Sequence, residues 1–217
     1  MTNAVRYGDA VVFESCETAQ KTFLSVIRTT LTSRRNAPVY WTEVSEPDKY
    51  PSGDYIWRLM PALGNRRKVG DPIRFGERVR IAMTDHFGCL RFLAMSRVDP
   101  KLVMTEKAPC SHDQSTWSIA YTRALLPAAD GQYIPDGELD ANLEYGDGQF
   151  LTFINSGRYL STLRDPYSIS RNGMGALPDY PCKGTAIWFH AHRSMAEALA
   201  EHEGLAMHAE MAAAQAA

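Results

Sequence analysis

The chain has 217 residues, of which 45% are hydrophobic and 22% charged, and its formal net charge is −2. This balance describes an ordinary soluble globular protein with length for one large domain or two small ones. It excludes a global electrostatic grip on nucleic acid, and the lack of any eighteen-residue apolar run excludes a spanning helix.

Four cysteines (Cys16, Cys89, Cys110 and Cys182) are scattered singly, without a Cys-x-x-Cys pair, so neither a zinc knuckle nor a dense disulfide framework is expected. The N-terminus shows no basic stretch followed by an apolar run, which makes a reduced, cytoplasmic protein the expectation.

In chain order, the first predicted unit opens with "YGDAVVFES" (7–15) and continues with "TFLSVIR" (22–28), "VYWTEV" (39–44) and "YIWRL" (55–59). A connection rich in Pro, Gly and charge follows at 61–74; it contains "NRRK" (65–68), read as solvated loop charge. A second unit repeats the order as "FGERVRIAM" (75–83), "RFLAMSR" (91–97), "LVMTE" (102–106) and "STWSI" (115–119). After a long connection at 124–143 comes a third: "YGDGQFLTF" (145–153), "RYLSTLR" (158–164), a faint element near "YSISR" (167–171), and "AIWFH" (186–190). The aromatic, glycine and acid that open each unit recur at near-equal spacing, and each unit offers about four short strands rich in β-branched and aromatic residues. Beyond His192 the sequence turns Ala-, Met- and Glu-rich. Ser194 with Glu197 makes a capping box that predicts a helix start.

Three units of four strands make the chain resemble the β-trefoil superfamily over residues 5 to about 192. Within it, "INSGRYLSTL" followed by "AIW" is most similar to fascin-like and MIR-type repeats. The resemblance implies an all-β fold: a β-trefoil of three four-stranded repeats (about 5–61, 73–124 and 143–192) in one domain over 1–193. A C-terminal α-helix and a frayed tail would follow over 194–217. It also implies ligand recognition, with carbohydrate as the leading class, in the manner of a lectin. The ricin-type Gln-x-Trp signature is missing, since the corresponding stretches read "YIW", "STW" and "AIW".

The chemical anomaly is "TAIWFHAHRS" (185–194), where a strand carries two histidines one residue apart. Aligned on Trp57, Trp117 and Trp188, His190 falls where Leu59 and Ile119 stand, a position expected to face the core. His190 and His192 are therefore the candidate catalytic pair, as general acid and base. Two core or strand-end histidines are the bland reading. A metal is not expected, because no spacing selects a third ligand. The candidate ligand-binding set is Trp188, His190, Arg164, Asp165 and Tyr159. Arg28, Arg97 and Arg164 recur in all three units and read as structural, as do the turn acids Asp9, Glu77 and Asp147. "DHFGC" (85–89) and "CSHD" (110–113) are weak as Cys–His catalytic sets.

Three functions remain open on these residues: a carbohydrate-binding module, a small-molecule enzyme with one pocket at His190 and His192, and a protein-binding module. No cofactor is implied. The expected partner is a small molecule or glycan, with no nucleic acid and no membrane, and with homo-oligomerisation through the C-terminal helix as an option.

Overall fold

The computed structural model describes residues 3–16, 21–32, 38–45, 55–85, 87–96, 103–107, 111–122, 141–162, 174–177 and 187–193. The first six strands are β1 Ala10–Ser15, β2 Phe23–Thr32, β3 Pro38–Ser45, β4 Trp57–Pro61, β5 Arg78–Thr84 and β6 Leu90–Met95. After β7 Val103–Lys107 comes one short helix, α1 His112–Ser115, and then β8 Trp117–Thr122, β9 Gly146–Asn155, β10 Arg158–Thr162, β11 Met174–Leu177 and β12 Phe189–Arg193. Among the described residues no helix is long and apolar enough to cross a membrane.

All twelve strands join one antiparallel sheet. Six of them close a ring of pairings: β1 with β4, β4 with β5, β5 with β8, β8 with β9, β9 with β12, and β12 with β1. The β2–β3, β6–β7 and β10–β11 pairs extend from it, and β3 pairs with β7. The expectation of a β-trefoil of three four-stranded repeats is corrected here. Four pairings join different thirds of the chain, β4–β5, β8–β9, β12–β1 and β3–β7, so the twelve described strands form one sheet built on a six-strand ring and do not divide into three separate four-stranded bodies. The physical reason is that a lone four-stranded unit leaves edges and one face unpaired, whereas pairing across units satisfies both. The C-terminal helix at 194–217 lies outside the described residues, as does the connection at 124–143 apart from residues 141–143.

Local chemistry explains individual elements. "NSGR" turns β9 into β10 through Ser156 and Gly157, both at positive φ (52° and 74°), with Arg158 paired to Asn155. Two left-handed residues are what a two-residue hairpin turn requires. Trp57 and Trp117 are fully buried, and their Nε1 atoms donate to Leu24 O (2.8 Å) and Leu93 O (2.9 Å).

The tryptophan alignment fails at the third position. Phe189 and Ala191 belong to the core cluster, while His190 and His192 are only partly buried. Gly8 N–H donates to Leu59 O and Gly76 N–H to Ile119 O, whereas the residue opposite Gly146 is Ala191. Counted from the glycines, Ala191 stands where Leu59 and Ile119 stand. A slip of one residue exchanges the faces of a strand, so the two histidines point away from the core.

The aromatic–glycine–acid turns interlock at one end of the ring. Asp9 Oδ2 accepts Arg6 N–H (2.8 Å) and Tyr145 O–H (2.9 Å). Glu77 Oε2 accepts Arg74 N–H (3.1 Å) and Tyr7 O–H (3.0 Å), while its Oε1 takes Arg67 Nε–H at 2.7 Å. Tyr7 is fully buried; burial, and then the Glu77 carboxylate, push its phenol well above the usual tyrosine range. Tyr7→Phe is expected to lower unfolding stability by about 1–2 kcal/mol, because a buried charge-assisted hydrogen bond is lost while Glu77 keeps its other partners. Urea denaturation followed by tryptophan fluorescence checks this, and a stability equal to wild type would remove the bond from the account.

Candidate functional site

β12 lies between β1 and β9. Against β1 the register is regular, with His192 opposite Val12 and His190 opposite Glu14. Directly opposed residues share a face, and diagonal neighbours lie within reach of long side chains. Glu14 uses that diagonal: its Oε2 is 3.1 Å from His192 Nε2, though not aligned for a hydrogen bond. Lys21 Nζ approaches the same carboxylate at 3.9 Å.

Against β9 the register breaks. Phe189 faces Leu151 and Ala191 faces Gly146, so β9 carries additional residues over this short span. Bulges of this kind re-aim side chains. The arched residues are Asp147, Gly148, Gln149 and Phe150, beside the two histidines. His190 Nδ1 is 3.0 Å from Gln149 O, and the Phe150 and His190 rings lie 4.6 Å apart. A carbonyl only accepts, so Nδ1 carries a proton, and in neutral His190 the lone pair is on Nε2.

Asp147 departs from its two counterparts. Asp9 and Glu77 close their own turns, but in the third turn that task falls to Gln149, whose Oε1 accepts Glu144 N–H (2.8 Å) and whose Nε2 donates to Asn142 O (3.1 Å). Phe75 also lacks the hydroxyl with which Tyr7 and Tyr145 engage Glu77 and Asp9. Asp147 is left 81% exposed, with Oδ1 3.6 Å from His192 Nε2. The resulting cluster is an imidazole between a sheltered carboxylate and an exposed one, with a second imidazole 6.2 Å away. It is rich in acceptors: two carboxylates and the His190 Nε2 lone pair. Among the described residues no group of three or more His, Cys, Asp or Glu side chains is placed to hold a metal ion.

The other sequence candidates scatter. Trp188 is 2% exposed and offers no open face for stacking. Tyr159 sits on β10 opposite Leu177, with its phenol pushed upward by burial. Arg164 and Asp165 lie outside the described residues, as does Arg97. In "DHFGC", Asp85 holds the loop by accepting Phe87 and Cys89 N–H (both 2.9 Å). In "CSHD", His112 Nδ1 meets Oγ1 of Thr116, the residue after the short helix, at 3.0 Å. Sequence reasoning passed over Glu14 and assigned Asp147 to its turn. The available signal was Gln149, a second side chain able to close that turn.

No family model and no curated protein sequence matches the chain. Solved structures similar to it include a Caenorhabditis elegans protein of unknown function, 14% identical, with a TM-score of 0.55 and coverage of 88% of this chain and 97% of that one. Another is the SDF2-like protein from Arabidopsis thaliana, 15% identical, TM-score 0.54, covering 87% and 94%. At these identities the likeness is one of fold alone. The carbohydrate-binding, lectin-like expectation is corrected accordingly: it rested on the trefoil resemblance, and neither a sugar-binding motif nor any matched sequence replaces that support.

Proposed function

We propose that the chain is a ligand-recognition protein with a single polar site on the outer face of β1, β12 and the β9 bulge, taking a small molecule that bears an ammonium or guanidinium group. The observation that carries this reading is the release of Asp147 from turn duty to a position 3.6 Å from His192. A carboxylate with no part in closing its turn, set beside Glu14 and the His190 lone pair, gathers acceptors and negative charge where a cationic donor would be held. Phe150, ring to ring with His190, adds an aromatic wall suited to a cation.

The test is a two-dimensional amide NMR titration with butylammonium, butylguanidinium, butyrate and methyl glucoside. Shifts confined to residues near 14, 147–150 and 190–192 are expected with the two cations only. Asp147→Asn should weaken that binding about tenfold or more while leaving the rest of the spectrum in place. Equal response to butyrate or glucoside, or none to either cation, removes the proposal.

Proton transfer is the second reading, favoured by the 3.1 Å approach of Glu14 to His192. A carboxylate beside an imidazole orients it and stabilises its charged form. Under this reading a bound amine would be turned over, and His192→Gln would cut turnover roughly a hundredfold or more with binding retained.

A further inference from the structure

The loop "LGNRRKVG" (63–70) has no part in the site above, yet its charge departs from the rest of the molecule. Residues 57–80 hold seven Lys or Arg against two acids, in a chain whose net charge is −2. Arg66, Lys68 and Arg74 are exposed. Between them and beside them stand Leu63 and Val69, 64% and 65% exposed, two of the four exposed large hydrophobics among the described residues. A Cβ added at Gly64 or Gly70 would meet nothing within 4 Å, so both ends of the loop open onto solvent.

The loop is held in shape. Asn65 N–H donates to Ala62 O, Arg67 N–H to Asn65 Oδ1, Lys68 N–H to Asp71 Oδ2, and Gly70 N–H to Tyr7 O. Asp71, like Asp9 and Glu77, is thereby engaged in turn hydrogen bonds, and Arg67 is paired with Glu77. Among the described residues, the remaining acids at this end, Glu144 and Asp147, belong to the third turn.

We propose that this loop docks the protein on an anionic lipid bilayer, with Leu63 and Val69 dipping to the headgroup–acyl boundary and Arg66 and Lys68 on the phosphates. Pre-shaped cations draw the chain to the surface, and two aliphatic side chains rimmed by them match the layered polarity of the interface. The aliphatic pair decides against nucleic acid. Binding to a phosphate backbone gains nothing from Leu and Val, and the loop has no aromatic ring for base stacking.

The experiment is co-sedimentation of the full chain with phosphatidylcholine vesicles, with and without phosphatidylserine, alongside a labelled single-stranded oligonucleotide. Binding is expected to the phosphatidylserine vesicles alone and to weaken with salt. Each cation near an anionic surface strengthens partition about fivefold, so Arg66→Glu with Lys68→Glu should weaken it roughly thirtyfold or more. Leu63→Ser with Val69→Ser should weaken it further at fixed salt, with near-ultraviolet circular dichroism unchanged. If the charge-reversed variant does not fold, Arg66→Gln with Lys68→Gln replaces it. The proposal is overturned if phosphatidylserine vesicles do not bring the chain down, or if either double variant binds as wild type. Oligonucleotide binding that needs Arg66 and Lys68 but ignores Leu63 and Val69 overturns it equally.

Discussion

Arg91→Ala is expected to lower stability by about 3–5 kcal/mol at neutral pH, the largest effect of any single charged side chain described. Arg91 and Asp85 are both 3% exposed at their side chains, with Nε 2.8 Å from Oδ2. Removing the guanidinium leaves a carboxylate shut away from water with only the Phe87 and Cys89 N–H groups for company. Burial raises the Asp85 pKa, but the Arg91 hydrogen bond, the Cys89 and Phe87 N–H groups and the Arg91 charge together bring it below the ordinary carboxylate value. A carboxyl depressed in the folded state stabilises above its unfolded pKa and loses that stabilisation as pH falls through the folded one. Wild type should therefore weaken on acidification below about pH 4, while the Arg91→Ala deficit shrinks there because Asp85 protonates. Guanidinium denaturation midpoints at neutral and acid pH measure both. A deficit that stays constant or grows in acid would show that Asp85 is not the group responsible.

Phe153→Ala should cost about 3–5 kcal/mol. Phe153 on β9, Phe13 on β1 and Phe189 on β12 are all fully buried. Phe13 meets Phe153 edge to face at 5.2 Å, and Phe189 completes the trio at 6.2 and 6.3 Å. Truncation removes a ring from the place where three ring strands meet and leaves a cavity that two neighbouring aromatics cannot fill without leaving their own contacts. Calorimetry of Phe153→Leu, Phe13→Leu and the double variant separates packing from pair geometry. A coupling of about 0.5–1.5 kcal/mol is expected, and strict additivity would deny the trio its mutual contact.

The strands themselves were legible. "TFLSVIR", "VYWTEV" and "RFLAMSR" fall on β2, β3 and β6 within a few residues, because alternation, β-branching and flanking Gly, Pro or Asp are local properties. Partnership was not legible, since it is decided between segments far apart in the chain. Glu14 meets His190 across the β1–β12 pairing, and no spacing rule reaches that far. The third element of the last third was expected near 167–171, which lies outside the described residues; the described strand that follows β10 is β11, Met174–Leu177. The histidines were read on the wrong face: three tryptophans invited an alignment, and the core selected Phe189 instead. Asp147 was hidden because its turn looks like the other two until Gln149 is seen to close it.

The pairing of β1 with β12 has a consequence for when the cluster can assemble during synthesis. Glu14 leaves the ribosome more than a hundred and seventy residues before His192, and the cluster spans the seam where those two strands zip together. A chain cut before β12 lacks His192, the imidazole that both Glu14 and Asp147 approach. Under the proposed function, a nascent or clipped molecule lacking β12 would not assemble the site, and binding would report the closing of the ring.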